Sequence, residues 1–136
     1  MERRVLEMNA SATATKRVEE ADLASALASE PGDLFLAVLS TPTMIGLMEL
    51  AAARVLQQVL EPGESSVGAG LQVQHTAPTL PGREITAHAR FTGMDGKLYT
   101  FEIRAEDDVG EIGSGFHRRA IVDVERFMAS TRRRSQ

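Results

Sequence analysis

One stretch of the chain is apolar almost all round. Residues 43–60, TMIGLMELAAARVLQQVL, carry only Glu49, Arg54, Gln57 and Gln58 as polar side chains after Thr43. Thr41 followed by Pro42 marks the start, as an N-cap candidate with proline at the first helical position. Glu61-Pro62-Gly63 marks the stop. At 100° per residue Arg54, Gln57 and Gln58 cluster on one side, and Glu49 sits about 130° from the centre of that side. A helix this apolar is expected to be mostly buried. Glu49 is then a carboxylate on the wrong face.

Around this helix the period changes to two. Residues 10–20 read as a first strand. Residues 21–29, ADLASALAS, fit either a short strand or a turn of helix. Glu30-Pro31-Gly32-Asp33 breaks whatever precedes it, and residues 34–39 are expected as a short helical piece. After the helix, residues 67–77 alternate with Leu71, Val73 and His75 facing one way and Gln72 and Gln74 the other. Residues 83–91 put Ile85, Ala87, Ala89 and Phe91 inside and Thr86, His88 and Arg90 outside. Residues 98–106 put Tyr99, Phe101 and Ile103 inside, and Gly93-Met94-Asp95-Gly96 reads as the hairpin turn before them. A last strand runs from about 113 to 127, with Phe116, Ala120, Val122 and Val124 inward. An apolar helix followed by antiparallel strands needs a sheet to wrap it. The expected class is α+β: a curled antiparallel sheet around one central helix, the hotdog arrangement.

Composition narrows the chemistry. The 136 residues and 14.7 kDa suit one domain, 1–136, with 128–136 expected as a frayed basic tail. Arg132, Arg133 and Arg134 in that tail could otherwise contact a phosphate-bearing ligand. The net charge of −4 speaks against nucleic acid as the main partner. With no cysteine there is no disulfide, thiolate metal site or cysteine nucleophile. No apolar run approaches a membrane span, and the charged opening MERRVLEMNASATATKRVEE has no apolar core of a secretory signal. The cytoplasm is therefore the expected compartment, with no membrane partner.

Three polar residues stand out as candidates. His75 shares a face with Leu71 and Val73, towards the helix. Together with Glu49 it is either a structural pair or an acid–base pair with shifted pKa values. Thr41 is either a plain cap or a hydroxyl at a helix N-terminus, where free N–H groups favour a developing oxyanion. About two helical turns, roughly 12 Å, separate Thr41 from Glu49. A ligand, a bend or a symmetric partner subunit would be needed to bring them together. His88 reads as solvated and His117 as ambiguous. Histidines 75, 88 and 117 share no face, so no metal set is expected.

Two stretches resemble a known family. Residues 41–82, TPTMIGLMELAAARVLQQVLEPGESSVGAGLQVQHTAPTLPG, and 108–127, DVGEIGSGFHRRAIVDVERF, are similar to the fluoroacetyl-CoA thioesterases, a hotdog family. The GLME helix, LEPGE and a strand ending in HTA carry the likeness. The resemblance implies a homodimer that hydrolyses short acyl-CoA thioesters without metal or other cofactor. It implies catalytic roles for Thr41, Glu49 and His75, substrate contacts for Gly68 and Arg119, and closure of the acyl pocket by Phe35. Strand parity, by contrast, puts Arg118 rather than Arg119 inward. The polar entrance at residues 21–36 points away from strict fluoroacetyl selectivity. A non-catalytic acyl-CoA-binding module and a hotdog hydratase or dehydratase are the alternative readings.

Overall fold

The computed structural model describes residues 2–136. Among them, five strands form one antiparallel sheet: β1 (Ser11–Arg17), β2 (Glu64–His75), β3 (Glu84–Asp95), β4 (Leu98–Glu106) and β5 (Glu111–Asp123). Their order across the sheet is β1-β3-β4-β5-β2, so β1 and β2 are the edges. The helix α1 (Thr41–Leu56) lies across the sheet, packed mainly on β1 and β3, and α2 (Val124–Arg134) follows β5. The hotdog arrangement expected from the sequence is the one observed.

Side-chain size explains how closely helix and sheet approach. Met44, Leu47, Met48, Ala51, Ala52, Val55 and Leu56 form the buried stripe of α1. Ala14, Ala87, Ala89 and Ala105 meet it from the strands, and Ile85, Phe101 and Ile103 fill the gaps. Alanines on both surfaces let the backbones come close, while each large aliphatic side chain contributes about 1.5–3 kcal/mol by leaving water.

The sheet covers only one side of α1. Glu49 and Leu50 on the other side are 43% and 42% exposed. Glu49 is thus not the buried carboxylate expected from the pattern. The pattern predicts a mostly buried helix, and one five-stranded sheet covers the stripe but leaves the opposite flank open. The helix also starts differently. Ser40 is the N-cap, with extended backbone, and its Oγ accepts the Thr43 N–H at 3.2 Å. Thr41 is the first helical residue, so its hydroxyl is not a cap.

The helical piece expected over 34–39 is absent. The carbonyls of Leu36 and Val38 instead accept the N–H groups of Ser25 and Ala24, and Leu39 bridges to Leu23. Six residues without a cap cannot repay helix nucleation when a neighbouring segment offers partners. That neighbour, residues 20–27, forms two short 3₁₀ turns. The β3–β4 hairpin is tighter than expected, closing at Gly96 (φ 62°) with Asp95 paired to Leu98.

The parity of the last strand is reversed. Its inner residues are Ile112, Gly113, His117 and Arg119, whereas Phe116 is 61% exposed. Arg119 is buried, and Arg118 is outward in an ion pair with Asp95 at 2.9 Å. The glycines set the parity. A Cβ on Gly113 would meet the Met44 sulfur at 2.6 Å, so the inner surface there must be bare. The strand ends at Asp123, whose side chain caps α2 through the Arg126 N–H. Residues 128–134, expected as a frayed tail, are therefore helical. The three terminal arginines sit in the last turn, where the helix dipole favours positive charge. No described helix is long and apolar enough to cross a membrane.

Candidate active site

The N-terminus of α1 meets the end of β2. Thr41 Oγ1 lies 2.8 Å from His75 Nδ1. Local structure brings them together: Ser40, held by its N–H to the Asp22 carbonyl, fixes where the helix begins, and β2 ends at His75 beside it. In the first turn Pro42 has no N–H, and Ser40 takes that of Thr43. Thr41 thus offers both a hydroxyl and a helix-terminal N–H at one place. His75 Nε2 is buried without a hydrogen-bond partner. A buried ring nitrogen left so costs about 1–3 kcal/mol, and the site keeps it.

A cavity of about 430 Å³ opens onto this pair. Thr41 and His75 line it together with Ala24, Leu34, Phe35 and Val38. Phe35 stands at the mouth of this cavity, and at 50% exposure it only half closes it. A larger hollow, about 610 Å³, borders Gln72, Asp95, Phe116 and Arg118. It includes neither Thr41 nor His75, and its arginine is already neutralised by Asp95.

Glu49 is not beside His75. Its carboxylate faces a second cluster, 3.8 Å from both His117 Nε2 and Arg119 Nη1. Gly68 leaves the space for it, because a Cβ there would meet Glu49 Oε1 at 2.5 Å. Arg119 is held at each of its three guanidinium nitrogens. Its Nε donates to Ser66 Oγ and its Nη2 to the Ser66 carbonyl, both at 3.0 Å, and its Nη1 donates to His117 Nε2 at 3.2 Å. The structure therefore splits the expected residues: Thr41, His75 and Phe35 in one group, Glu49, Gly68 and Arg119 in another. His88, expected to be solvated, is half-buried and bonds Glu106 at 2.8 Å.

His117 is the residue the sequence reading left unassigned. It is buried, with Nδ1 2.8 Å from the Gly70 carbonyl. The available signal was the glycine spacing. Gly113 and Gly115 share parity with His117 and Arg119, and a glycine pair on one face of a strand marks close approach. The apolar Phe116 and Val122 outweighed it.

Comparison with known proteins settles the relationship. The family model for fluoroacetyl-CoA-specific thioesterase matches residues 18–125.

The chain belongs to the fluoroacetyl-CoA-specific thioesterase family.

Within that family, the fluoroacetyl-CoA thioesterase of Streptantibioticus cattleyicolor is 42% identical over 101 residues, covering 74% of this chain and 73% of the relative. The solved structure of the fluoroacetyl-CoA thioesterase FlK superposes with a TM-score of 0.89 at 35% identity, over 96% of this chain and 98% of that one. A threonine-to-serine variant of FlK in complex with acetyl-CoA gives 0.86 at 34%, over 96% and 99%.

Both inward histidines of this thioesterase-family fold are held neutral. Burial pushes His75 below its ordinary 6.5, with the Ala77 backbone opposing. Burial does the same to His117, helped by the Arg119 charge and opposed by the Gly70 carbonyl and Glu49. With folded values below unfolded ones, the unfolded chain takes up protons first. Stability is then full above pH 6.5 and is lost as pH falls towards the folded values. Urea midpoints are expected to decline between pH 7 and 5. Glu64, clasped by Arg3 and held at about 2, does not titrate in that window. A flat profile there would mean that the histidines titrate alike in the folded and unfolded chain.

Proposed function

We propose that the protein is a homodimeric acyl-CoA thioesterase in which Thr41 and His75 of one subunit work with the partner's Glu49. The observation that carries this is the 2.8 Å contact between Thr41 and His75 at the mouth of an apolar cavity, with His75 Nε2 left over. When the Thr41 hydroxyl gives its proton to Nδ1, Nε2 carries a hydrogen and needs an acceptor. A carboxylate supplies it and stabilises the imidazolium.

Three features support a second subunit as its source. Two turns of helix separate Thr41 and Glu49 within one chain. The flank of α1 bearing Glu49 and Leu50 is uncovered. The strand β2 is a twelve-residue edge with free backbone groups along it. An isologous interface on that edge and flank places each Glu49 at the other subunit's site.

In the proposed chemistry the thioester carbonyl sits at the α1 N-terminus, its developing oxyanion met by the Thr41 N–H and the positive end of the helix. Two routes are open to the pair. Thr41 Oγ attacks the carbonyl carbon, the C–S bond breaks, and water later cleaves the acyl-threonine. In the other route, Thr41 and His75 activate water for the same attack. In both, His75 returns its proton to the departing thiolate, giving free CoA and a carboxylic acid.

The substrates we infer are short acyl-CoA esters, with only a weak preference for fluoroacetyl over acetyl. Leu34 and Leu36, 89% and 75% exposed, do not seal the cavity, and Ser25, Ser29, Glu30 and Asp33 in the neighbouring segment are polar, whereas Asp22 is buried against Lys16. A one-atom difference in such a site is worth about 1–3 kcal/mol, a ratio of roughly 10–200. Thiol release measured over fluoroacetyl-, acetyl-, butyryl- and aryl-acyl-CoA tests this. A kcat/KM ratio in the thousands, with larger groups refused, would make the enzyme strictly fluoroacetyl-selective. No release from any of them would leave an acyl-CoA-binding module.

A further inference from the structure

We propose that His117 is a positioning residue for Glu49, acting through Arg119. The inference rests on the reading that Glu49 takes part in hydrolysis.

The hydrogen bonds around His117 fix its tautomer. The Gly70 carbonyl can only accept, so Nδ1 carries the hydrogen. Arg119 can only donate, so Nε2 presents a lone pair to Nη1. Protonation would set one cation against another in a buried place. The neutral ring is thus a spacer with a donor on one side and an acceptor on the other. It joins the β2 bulge at Gly68–Gly70 to the guanidinium.

Arg119 needs that spacer. Ser66 holds Nε and Nη2, and His117 holds Nη1, so the planar fork is fastened on two edges. Only in that orientation does Nη1 face the Glu49 carboxylate, which is otherwise nearly half exposed and free to turn. Coulomb attraction at 3.8 Å between an exposed carboxylate and a guanidinium is modest. Its value here is direction: it keeps the carboxylate on the face where a partner's His75 would meet it. Burying an arginine next to a neutral imidazole is costly, and neither group touches the cavity that holds Thr41.

The test separates the two ring nitrogens. In His117→Asn the amide keeps the donor to Gly70 but offers Arg119 no acceptor. In His117→Gln the longer side chain places an amide oxygen near the position of Nε2. His117→Asn is expected to lower kcat about 10–100-fold with KM little changed. His117→Gln is expected to recover most of that loss. On a Glu49→Gln background His117→Asn should cost almost nothing more, because the group it orients is already gone. Wild-type kcat in a folded His117→Asn, or an equal loss on both backgrounds, would overturn the proposal. Should Glu49→Gln itself hydrolyse normally, the reading of Glu49 fails and the role of His117 falls with it. Should Glu49→Gln be inactive and His117→Asn normal, only the role of His117 falls. Nitrogen-15 spectra of the unsubstituted protein give a check that needs no variant to fold. They are expected to show His117 protonated on Nδ1 alone at neutral pH; the opposite tautomer, or an imidazolium, would overturn the proposal.

Discussion

Combining a His75→Ala subunit with a Glu49→Gln subunit is expected to restore roughly a quarter of wild-type thioester hydrolysis in a random mixture, although each variant alone is nearly inactive. Each single substitution removes a proton-transfer or charge-stabilising partner, which costs about 10²–10⁴-fold. If the site is composite, half of the subunit pairs are mixed dimers. In each, one site carries both lesions and the other carries none. Within one subunit the two substitutions together should be little worse than either, since they belong to one unit. Co-expression with two tags isolates the mixed dimer for assay. An inactive mixed dimer would mean that the catalytic set lies within one chain, and normal hydrolysis by Glu49→Gln alone would mean that Glu49 takes no part. A sedimentation run showing only a 14.7 kDa species at micromolar concentration would remove the dimer itself.

Thr41→Val is expected to lose most of the turnover, about 10²–10³-fold, with almost no change in stability, whereas Thr41→Ser keeps much of the activity. The structure makes this sharper than the sequence could. A cap threonine would cost roughly 1 kcal/mol on losing its hydroxyl. Ser40 is the cap, through Thr43, so valine at 41 leaves the helix start intact. Valine keeps the shape and takes away the oxygen that meets His75. Parallel thermal unfolding and thiol-release measurements separate the two effects. Full specific activity in the valine variant would leave His75 without its partner in the proposed chemistry. A large stability loss with unchanged turnover would make Thr41 structural.

Much of this was legible along the chain. The helix over 43–60 stood out because nothing polar interrupts its stripe, and the structure shortens it by a few residues at one end and extends it at the other. The strands of the hairpin were placed with the right faces because Ile85, Ala87, Ala89, Phe101 and Ile103 are buried where alternation put them. Thr41, His75 and Glu49 were singled out, each as a polar group where pattern called for an apolar one or a cap. What failed was β5. There the apolar residues face outward and the working face is made of glycines, a histidine and an arginine. Hydrophobic parity assumes that the inner face is the apolar one, and a face that builds a polar cluster violates that assumption.

The sequence alone therefore determined the class of fold, the helix that anchors it and the identity of the polar residues set among apolar ones. Those follow from period and composition, which are local properties of the chain. Only the tertiary structure decided which of these residues meet. It joined Thr41 to His75 and Glu49 to Arg119, made Ser40 the cap, and brought in His117. These outcomes depend on where a strand ends against a helix, on a register shift at Gly68–Gly70, and on bare glycine surfaces that let backbones approach. Contacts between residues 34 or more positions apart leave no periodic trace in the chain that makes them.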